Sequence, residues 1–341
     1  MNLVHLPDLP WVEIVSPTKK FHSFCRNVSI ALGGTRNTGT WGGGHPFDLQ
    51  IRRLPSGAAV CPFHSHSAQW EMFVVLGGTG TVRTSEARTV VKAGDVFIHP
   101  PGAPHQLTNT GATHLEVLII ADNPVMDGGY YPDSNKYYLR PPGEIFRTTP
   151  ADYFDGEDTL PPGGDSGYKV APSPEISVAP FAQRKISIDA LPWDTWESPK
   201  RKFSGASKEL SIALGAKRNT PTGLGGHPFD LELSKLAPGA CGCPFHSHAA
   251  QWELFYVVSG TATVRANAET RTLRAGDVVL HPPGEAHQIT NASATEELVF
   301  YLVADNPPVD YWHYPDSGKW GLREPRKFFR LTEADYWDGE E

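Results

Sequence analysis

The sequence predicts an all-β protein made of two tandem antiparallel domains, each a sandwich or a barrel, that arose by internal duplication. A gap-free internal repeat and a series of short apolar stretches between turn residues predict this fold class. The 341 residues include 33 glycines and 31 prolines, a composition typical of many short strands and tight turns. A chain of this length can form two domains that each bury a core without disulfides or a structural metal.

The internal repeat fixes the number of domains. Residues 45–109 align with residues 227–291 at a constant offset of 182, and 37 of the 65 positions are identical. One inserted residue after Asn291 shifts the offset to 183, and the match then continues to the end of each copy. Such a period is too long for a solenoid repeat, so the repeated unit is a whole domain. We expect an N-terminal domain over 1–158, a Pro/Gly-rich linker over 159–184 and a C-terminal domain over 185–341.

Within each copy, apolar residues alternate with polar ones or run briefly between turn signals. These stretches predict strands, and no segment predicts a long helix. The turns contain glycine and proline, as at Gly77-Gly78 and Pro100-Pro101-Gly102. In the first copy the predicted strands are Phe47 to Ile51, Phe73 to Leu76, Thr79 to Arg83, Asp95 to Ile98 and Leu115 to Ile120.

The charge distribution and the N-terminal residues argue against some classes of partner and cell location. The net charge is -8 and the longest basic run is Lys200-Arg201-Lys202, which argues against nucleic-acid and membrane partners. The N-terminal residues lack the features of a secretory signal, and no apolar run is long enough to span a membrane. The four cysteines show neither a disulfide framework nor a CxxC pair. We expect reduced thiols, a cytoplasmic protein and a small-molecule ligand, and the sequence is compatible with a homo-oligomer.

A histidine pair in the first copy has the spacing of metal ligands. His64 and His66 stand two apart in a predicted strand, so their side chains should point to the same face. Glu71 follows after a short turn, and a hairpin can return its carboxylate to the pair. His105, after a Pro/Gly turn, adds a fourth donor. The second copy repeats the set at the same offset of 182, with His246, His248, Glu253 and His287.

These residues resemble the two motifs of the cupin superfamily. The first motif is matched by Gly57, His64, His66, Glu71 and Gly77, and the second by Gly94, Pro100, Gly102, His105 and Asn109. The second copy matches them with Gly239, His246, His248, Glu253 and Gly260, then Gly276, Pro282, Gly284, His287 and Asn291. The resemblance implies a bicupin, that is, two double-stranded β-helix (jelly-roll) barrels, each with a metal in its mouth.

The donor set predicts one divalent transition metal in each domain. Imidazoles with one carboxylate suit Fe, Mn, Ni, Co, Cu or Zn, and the sequence does not rank them. The absence of thiolate ligands argues against a structural zinc site. Four protein ligands on an octahedral ion leave two positions open, so a chelating ligand is the natural partner.

Other residues near these motifs have plainer explanations beside a functional one. Cys61 and Cys243 stand three residues before the first histidine, so strand alternation places them on the opposite face. The side chains of Gln69 and Gln251 fit a turn hydrogen bond as well as a contact near the metal.

Histidines, arginines and aromatic residues outside the ligand set also have two explanations each. His99 and His281 could contribute to ligand binding. Arg83 and Arg265 could clamp an anion, but an outward salt bridge is the default role of each. Aromatic residues near each domain's end are expected to pack the tail on the barrel: Tyr130, Tyr131, Tyr137, Tyr138, Trp312, Tyr314 and Trp320.

Two classes of function fit the sequence. The first is a metal-dependent enzyme that acts on a small oxygenated metabolite. The cupin resemblance leaves isomerases, dioxygenases and decarboxylases open, and similarity to the sugar-phosphate isomerase-like group favours a sugar or sugar-phosphate. The alternative is a non-catalytic protein that binds or senses a small molecule and holds the metal as part of the ligand cage. The sequence assigns no catalytic residue and no organic cofactor.

Overall fold

The two halves of the chain fold into the same succession of short strands. The computed structural model describes residues 1–149, 151, 178–323 and 326–340. The first half contains helix α1 (Val28–Ala31) and strands β1 (Asn2–His5), β2 (Val12–Val15), β3 (His22–Asn27), β4 (Phe47–Leu54), β5 (Ser65–His66), β6 (Glu71–Gly77), β7 (Thr79–Thr84), β8 (Arg88–Lys92), β9 (Asp95–His99), β10 (His105–Asn109), β11 (Leu115–Asp122), β12 (Asp127–Tyr131), β13 (Lys136–Arg140) and β14 (Glu144–Phe146).

The second half repeats this order. It contains helix α2 (Leu210–Ala213) and strands β15 (Lys185–Ser187), β16 (Asp194–Glu197), β17 (Ser204–Glu209), β18 (Phe229–Leu236), β19 (Ser247–His248), β20 (Glu253–Ser259), β21 (Thr261–Ala266), β22 (Glu269–Arg274), β23 (Asp277–His281), β24 (His287–Asn291), β25 (Leu298–Asp305), β26 (Tyr311–Tyr314), β27 (Lys319–Leu322) and β28 (Lys327–Phe329). The all-β prediction is confirmed, and the five strands predicted in the first copy fall within β4, β6, β7, β9 and β11. In the described part of the chain, no helix is long and apolar enough to cross a membrane.

Each barrel is closed by a large sheet packed against a small one. In the first barrel a seven-stranded sheet, in the order β15-β9-β6-β11-β4-β3-β2, faces the three-stranded sheet β10-β7-β8. The second barrel has the equivalent sheets β1-β23-β20-β25-β18-β17-β16 and β22-β21-β24. A further four-stranded sheet, β14-β13-β12-β5 or β19-β26-β27-β28, adds the strand that carries the second histidine of each HxH pair. All the strand pairs are antiparallel, as in a jelly roll.

Strand β6 shows how alternation directs the first site. Phe73 and Val75 point into the core of the first barrel, whereas Met72 and Val74 join a different core on the other side of the sheet. Because side chains alternate along a strand, Glu71 faces inward with Phe73. In β20, Glu253 and Phe255 are placed the same way. The fold thereby turns one carboxylate of each copy toward the barrel interior.

The two barrels share a core and exchange strands. Leu6, Phe47 and Phe229 belong to a buried cluster between the two large sheets. Strand β1, near the N-terminus, pairs with β23 of the second barrel, while β15 pairs with β9 of the first. Both pairings cross the boundaries expected from the repeat. Most of the expected linker, 159–177, lies outside the described residues, and the boundaries at 158 and 185 stay a prediction.

The turn after β6 needs a glycine at Gly78. Its φ is +82°, and a Cβ there would lie 2.4 Å from the carbonyl oxygen of His114. Gly260 has the same φ and the same close approach, to the oxygen of Glu297. Gly78 is therefore the counterpart of Gly260, and not Gly77, which the motif comparison selected.

Shortening Leu6 should destabilise the protein, because its side chain is 5% exposed in the core shared by the barrels. We expect Leu6→Ala to lower the free energy of unfolding by about 2–4 kcal/mol. Leu3→Ala, on strand β1 with Leu3 38% exposed, is the matched control and should cost much less. Urea unfolding followed by circular dichroism measures both. Equal losses in the two variants would contradict the assignment of Leu6 to the shared core.

Candidate metal centres

Backbone pairing brings the first site together from distant parts of the chain. His64 and His105 form a two-way backbone bridge, in which each amide donates to the other's carbonyl at 3.2 and 2.8 Å. His66 lies on β5, and Glu71 begins β6 with its side chain directed inward. The expected HxH strand is shorter than predicted, because β5 covers Ser65–His66 only. The two histidines nevertheless converge.

Donor atoms of His64, His66 and Glu71 lie within 4.8 Å of one another, and His105 contacts the glutamate of this group. The Nε2 atoms of His64 and His66 are 3.1 Å apart. The Oε2 atom of Glu71 lies 2.8 Å from His105 Nε2, 3.7 Å from His66 Nε2 and 3.9 Å from His64 Nε2. The structure thus brings all four predicted residues together. Their role as ligands stays a prediction.

The second site brings the equivalent residues together, but its compact group contains His287 and not His248. His287 Nε2 lies 2.7 Å from Glu253 Oε2, and His248 Nε2 lies 3.5 Å from Glu253 Oε1. The rings of His246 and His287 are 4.8 Å apart between centroids. One ligand atom from each of His246, Glu253 and His287 falls within a span of 4.8 Å, which also holds for His64, His66 and Glu71 in the first site. Each domain therefore holds a residue group that fits one divalent metal.

A hydrogen bond from Nδ1 of each imidazole leaves Nε2 to face the site. Nδ1 of His64 lies 2.9 Å from the carbonyl oxygen of Pro62, and Nδ1 of His105 lies 2.9 Å from that of Ala103. Nδ1 of His66 lies 2.6 Å from a carboxylate oxygen of Asp127. Carbonyl and carboxylate oxygens only accept hydrogen bonds, so these Nδ1 atoms carry the protons. Each Nε2 then points into the site, where it offers a lone pair to an ion or, without an ion, takes up a proton shared with the glutamate.

This tautomer fits a cation. Three Nε2 lone pairs and a carboxylate repel one another at these distances unless a positive charge lies among them. In metalloproteins a ligating histidine almost always donates its other N–H to a carboxylate or carbonyl, as here. His248 repeats the pattern with Asp310, at 2.7 Å, and His246 and His287 repeat it with the carbonyls of Pro244 and Glu285.

The pKa values reflect the same electrostatics. Burial raises the pKa of Glu71, but the hydrogen bond with His105 and the neighbouring imidazoles outweigh it, so the net pKa lies far below its usual range. Burial and the charge of His64 lower the pKa of His105 to about 4. Burial also lowers the pKa of His248, but Glu253 and Asp310 raise it to about 9. The carboxylates at each site thus stay ionised and favour a positive charge.

Asp127 and Asp310 are the outer carboxylates that the sequence analysis did not select. Each also accepts hydrogen bonds from the backbone amides of the turn before the glutamate, at 3.0 Å from Ala68 and 2.9 Å from Ala250. They occupy equivalent positions at the offset of 183, and this equivalence was the signal that could have found them. They hold His66 and His248 in register with the turn.

Two domain matches decide the family. Residues 50–121 and 232–304 each match the family model described as a cupin domain, and all eight predicted ligands fall within these ranges. The protein is a bicupin. A Thermotoga maritima protein named an oxalate-binding protein is 35% identical to the bicupin over 68 residues. The match covers 20% of this chain and 55% of that protein, so it spans about half of the relative's length.

Solved bicupin structures share the fold. An oxalate decarboxylase of Lactobacillus farciminis in a formate complex superimposes with a TM-score of 0.53 at 18% identity, over 90% of this chain and 86% of that one. A mutant of Bacillus subtilis oxalate decarboxylase gives a TM-score of 0.51 at 17% identity, over 91% and 78%. At these identities the likeness shows the two-barrel architecture alone.

Each site of the bicupin opens into a small cavity. The first cavity has a volume of about 210 Å³ and is lined by the predicted ligands His64, His66 and Glu71 together with Arg52 and Tyr131. The second has a volume of about 180 Å³ and is lined by His246 and Glu253 with Glu232 and Ser234. Each volume suits a molecule of a few non-hydrogen atoms beside the ion.

Cys61 lies in the first cavity, so the prediction that it faces away from the histidines is wrong. Its sulfur lies 3.6 Å from His64 Nδ1, and Cys243 lines the second cavity. Residues 61–63 form a bend rather than a strand, so strand alternation does not apply to them. Burial raises the pKa of both thiols, which therefore stay protonated. All four cysteines are free.

His99 and His281 lie behind the ligands rather than in the cavities. The His99 ring stacks on His105 at 3.9 Å between centroids, and His281 stacks on His287 at 4.2 Å. Nδ1 of His99 accepts a hydrogen bond from Arg184 at 3.2 Å. These rings support the orientation of the fourth ligand in each copy.

The remaining candidates divide between turn, surface and cavity. Gln69 donates to the carbonyl of Asp122 at 2.6 Å, which is a turn contact, although it also lines the first cavity. Arg83 forms an exposed two-pronged pair with Asp133, which confirms the outward salt bridge. Arg265 forms the equivalent pair with Asp316.

Two of the tail aromatic residues, Tyr131 and Tyr138, line the first cavity, whereas packing the tail on the barrel was the role expected of them. Tyr131 also stacks on His64, with ring centroids 6.0 Å apart, and Tyr314 stacks on His246 at the same distance. Both tyrosines therefore lie close enough to contact a ligand at the ion. The pairing of β12 with β5 places Tyr131 there, and the pairing of β26 with β19 places Tyr314.

Replacing Asp127 should weaken the first site alone. In Asp127→Asn an amide group would face the N–H of His66 or the turn amides, so at least one hydrogen bond is lost. We expect metal affinity at the first site to fall by about 10- to 100-fold. Asp310→Asn should do the same at the second site, and each variant is the control for the other. Competition with a chromophoric chelator measures this, and unchanged affinities in both variants would contradict the orienting role.

Proposed function

We propose that the bicupin is a metal-dependent enzyme that binds a small oxygen-rich metabolite directly to a divalent ion in its barrels. One observation carries this proposal: in each barrel three imidazoles with fixed tautomers and one carboxylate converge at the mouth of a cavity. Four protein ligands leave room for a chelating substrate on a six-coordinate ion. A structural site would instead close the ion off.

The residues around the ligands have definite tasks in this proposal. When bound, the ion would supply Lewis acidity to the oxygens of the substrate. Asp127 and the carbonyls of Pro62 and Ala103 hold the imidazoles in place. Phe73 meets the edge of His105 at 6.1 Å between centroids and keeps the floor of the cavity apolar. Tyr131 forms part of the wall beside His64.

Small carboxylic acids are the substrate class that the relatives favour. The names of the similar proteins refer to oxalate binding and oxalate decarboxylation. None of these names refers to a sugar or a sugar phosphate, so an isomerase reaction on such a substrate is not part of this proposal. A decarboxylase reaction is the first to test, and a dioxygenase reaction is the second.

Activity assays on the metal-loaded chain test the proposal. Metal analysis comes first, followed by assays with oxalate, other dicarboxylates, catechols and sugar phosphates. We expect turnover that is lost in Glu71→Ala or in Glu253→Ala and retained in His22→Ala, which removes a surface pair with Glu13. A folded wild-type protein that binds no metal would refute the proposal.

A binding protein without catalysis is the second candidate. A relative that matches over 68 residues is named for oxalate binding. This name favours a binding role for at least one barrel. Tight oxalate binding by the metal-loaded protein, with no turnover of any compound in the screen, would favour it over the enzyme. The cytoplasmic location and a homo-oligomeric state stay predictions.

A further inference from the structure

Arg52 is a buried cation beside the first site that lacks a counter-ion. Its side chain is 8% exposed, and it lines the same cavity as His64, His66 and Glu71. Nε donates to the side-chain oxygen of Gln50 at 2.9 Å and Nη1 donates to the hydroxyl of Ser23 at 2.9 Å. Both acceptors are neutral.

The third nitrogen of this guanidinium is available to a ligand. Within the described ranges, Nη2 of Arg52 has no hydrogen-bond partner, and no carboxylate lies within ion-pair distance of the group. An arginine buried without an anion is costly, because the lost hydration of the charge is not repaid. Burial accordingly lowers the pKa of Arg52, although an arginine stays charged. An anion in the cavity would repay this cost.

The second barrel reverses the charge at the equivalent positions. At the offset of 182, Arg52 corresponds to Ser234, Gln50 to Glu232 and Asn27 to Glu209. Each of the three changes makes the second site more negative by one charge when both glutamates are ionised. The eight predicted ligands are the same residue types in the two copies, so this difference is the main electrostatic contrast between the cavities.

The second site's glutamates already have a partner. Arg218 lies 3.0 Å from Glu209 and 3.7 Å from Glu232, and the hydroxyl of Ser234 donates to Glu232. Glu232 lines the second cavity with His246 and Glu253. Burial and the nearby Glu209 raise the pKa of Glu232 to about 7. An anion that enters this cavity would face Glu232, about half ionised near pH 7, in place of the guanidinium of Arg52.

We propose that the first barrel is the anion-selective site, where Arg52 binds a carboxylate of a small chelating acid whose other oxygens reach the ion, and that the second barrel excludes this anion. This inference rests on the proposed function, since chelation needs the metal. The two barrels have the same predicted metal ligands, but only the first is expected to bind a negatively charged substrate. Arg52 acts as the specificity-determining residue.

Calorimetric titration of oxalate into the metal-loaded full chain, without oxygen, tests the assignment. The metal content of every variant is measured first, so loss of metal from the wild type would signal failure of the proposed function rather than of the charge assignment. We expect one oxalate per chain, lost in His66→Ala and retained in His248→Ala. The opposite pattern, two equivalent oxalates per chain, or no oxalate bound by a fully metal-loaded wild type, would overturn the inference.

Variants at the charged positions provide a second test in the same titration. Arg52→Ser copies the second barrel and should weaken oxalate binding by about 10- to 100-fold while both metals remain. The triple variant Glu209→Asn, Glu232→Gln, Ser234→Arg copies the first barrel and should gain a second oxalate site. Unchanged oxalate affinity in a metal-replete Arg52→Ser would overturn the role of Arg52. If that variant does not fold, the two histidine variants still decide which barrel binds the anion.

Discussion

Replacing His66 by alanine is expected to leave the bicupin with one bound metal per chain instead of two. His248→Ala should remove the other metal, and the double variant should bind none. The reason is geometric, because each of these imidazoles turns an Nε2 lone pair toward the site and is held from behind by an aspartate at 2.6 or 2.7 Å. Loss of a ligand should lower metal affinity by more than the roughly 10- to 100-fold expected when an outer partner such as Asp127 is replaced.

Elemental analysis of the gel-filtered, metal-loaded proteins measures this result. His22→Ala is a suitable control, because His22 lies on β3 and pairs with Glu13 at the surface. It should keep two metals. Far-UV circular dichroism shows whether each variant is folded, which we expect because each barrel has its own apolar core. A folded double variant that still binds two metals would refute both sites.

The convergence of the eight residues could be predicted from the sequence because duplication repeats local spacing, whereas their role as metal ligands stays a prediction. Within one copy, HxH and the following glutamate lie within eight residues, from His64 to Glu71. A short turn joins them, but not the expected hairpin, because β5 pairs with β12 and β6 pairs with β9 and β11. His105 follows a Pro/Gly turn whose direction is also local. The strands were predictable for the same reason, since period-two alternation is a property of a few consecutive residues.

Features that depend on distant contacts could not be predicted in this way. Strand β1 pairs with β23 across more than half of the chain, and no local pattern encodes that pairing. Asp127 reaches His66 from a strand that follows the large sheet, so its role appears only when β12 is seen beside β5. Cys61 was misplaced because alternation was applied to a bend. The charge contrast at Arg52 needed the cavity, since its sequence shows only an ordinary strand arginine.

Shortening a phenylalanine in the core between the barrels is expected to cause a large loss of stability. Phe47 and Phe229 are equivalent residues, 1% and 0% exposed, and their rings lie 6.3 Å apart between centroids across the interface. We expect Phe47→Ala and Phe229→Ala each to lower the free energy of unfolding by about 3–5 kcal/mol. Because the rings are in contact, the double variant should lose less than the two single losses added together.

Calorimetry can show whether the two barrels unfold together. Phe328→Ala, with a ring that is 51% exposed, is the control and should leave the unfolding temperature nearly unchanged. We expect one transition in every protein, shifted as a whole by either core variant. Two transitions, only one of which moves in Phe47→Ala, would mean that the barrels unfold independently.

The shared transition follows from how each barrel is completed. Strand β1 closes the edge of the second large sheet and β15 closes that of the first, so neither sheet has its full set of strands without a segment from the other half. His45 and Trp252 pack across the interface at 5.4 Å, and Trp70 and His227 repeat that contact at 5.2 Å. Trp70 and Trp252 each precede the glutamate of a metal site. Loosening the interface should therefore reach both sites at once, and Phe47→Ala should weaken metal retention in the second barrel as well as in its own.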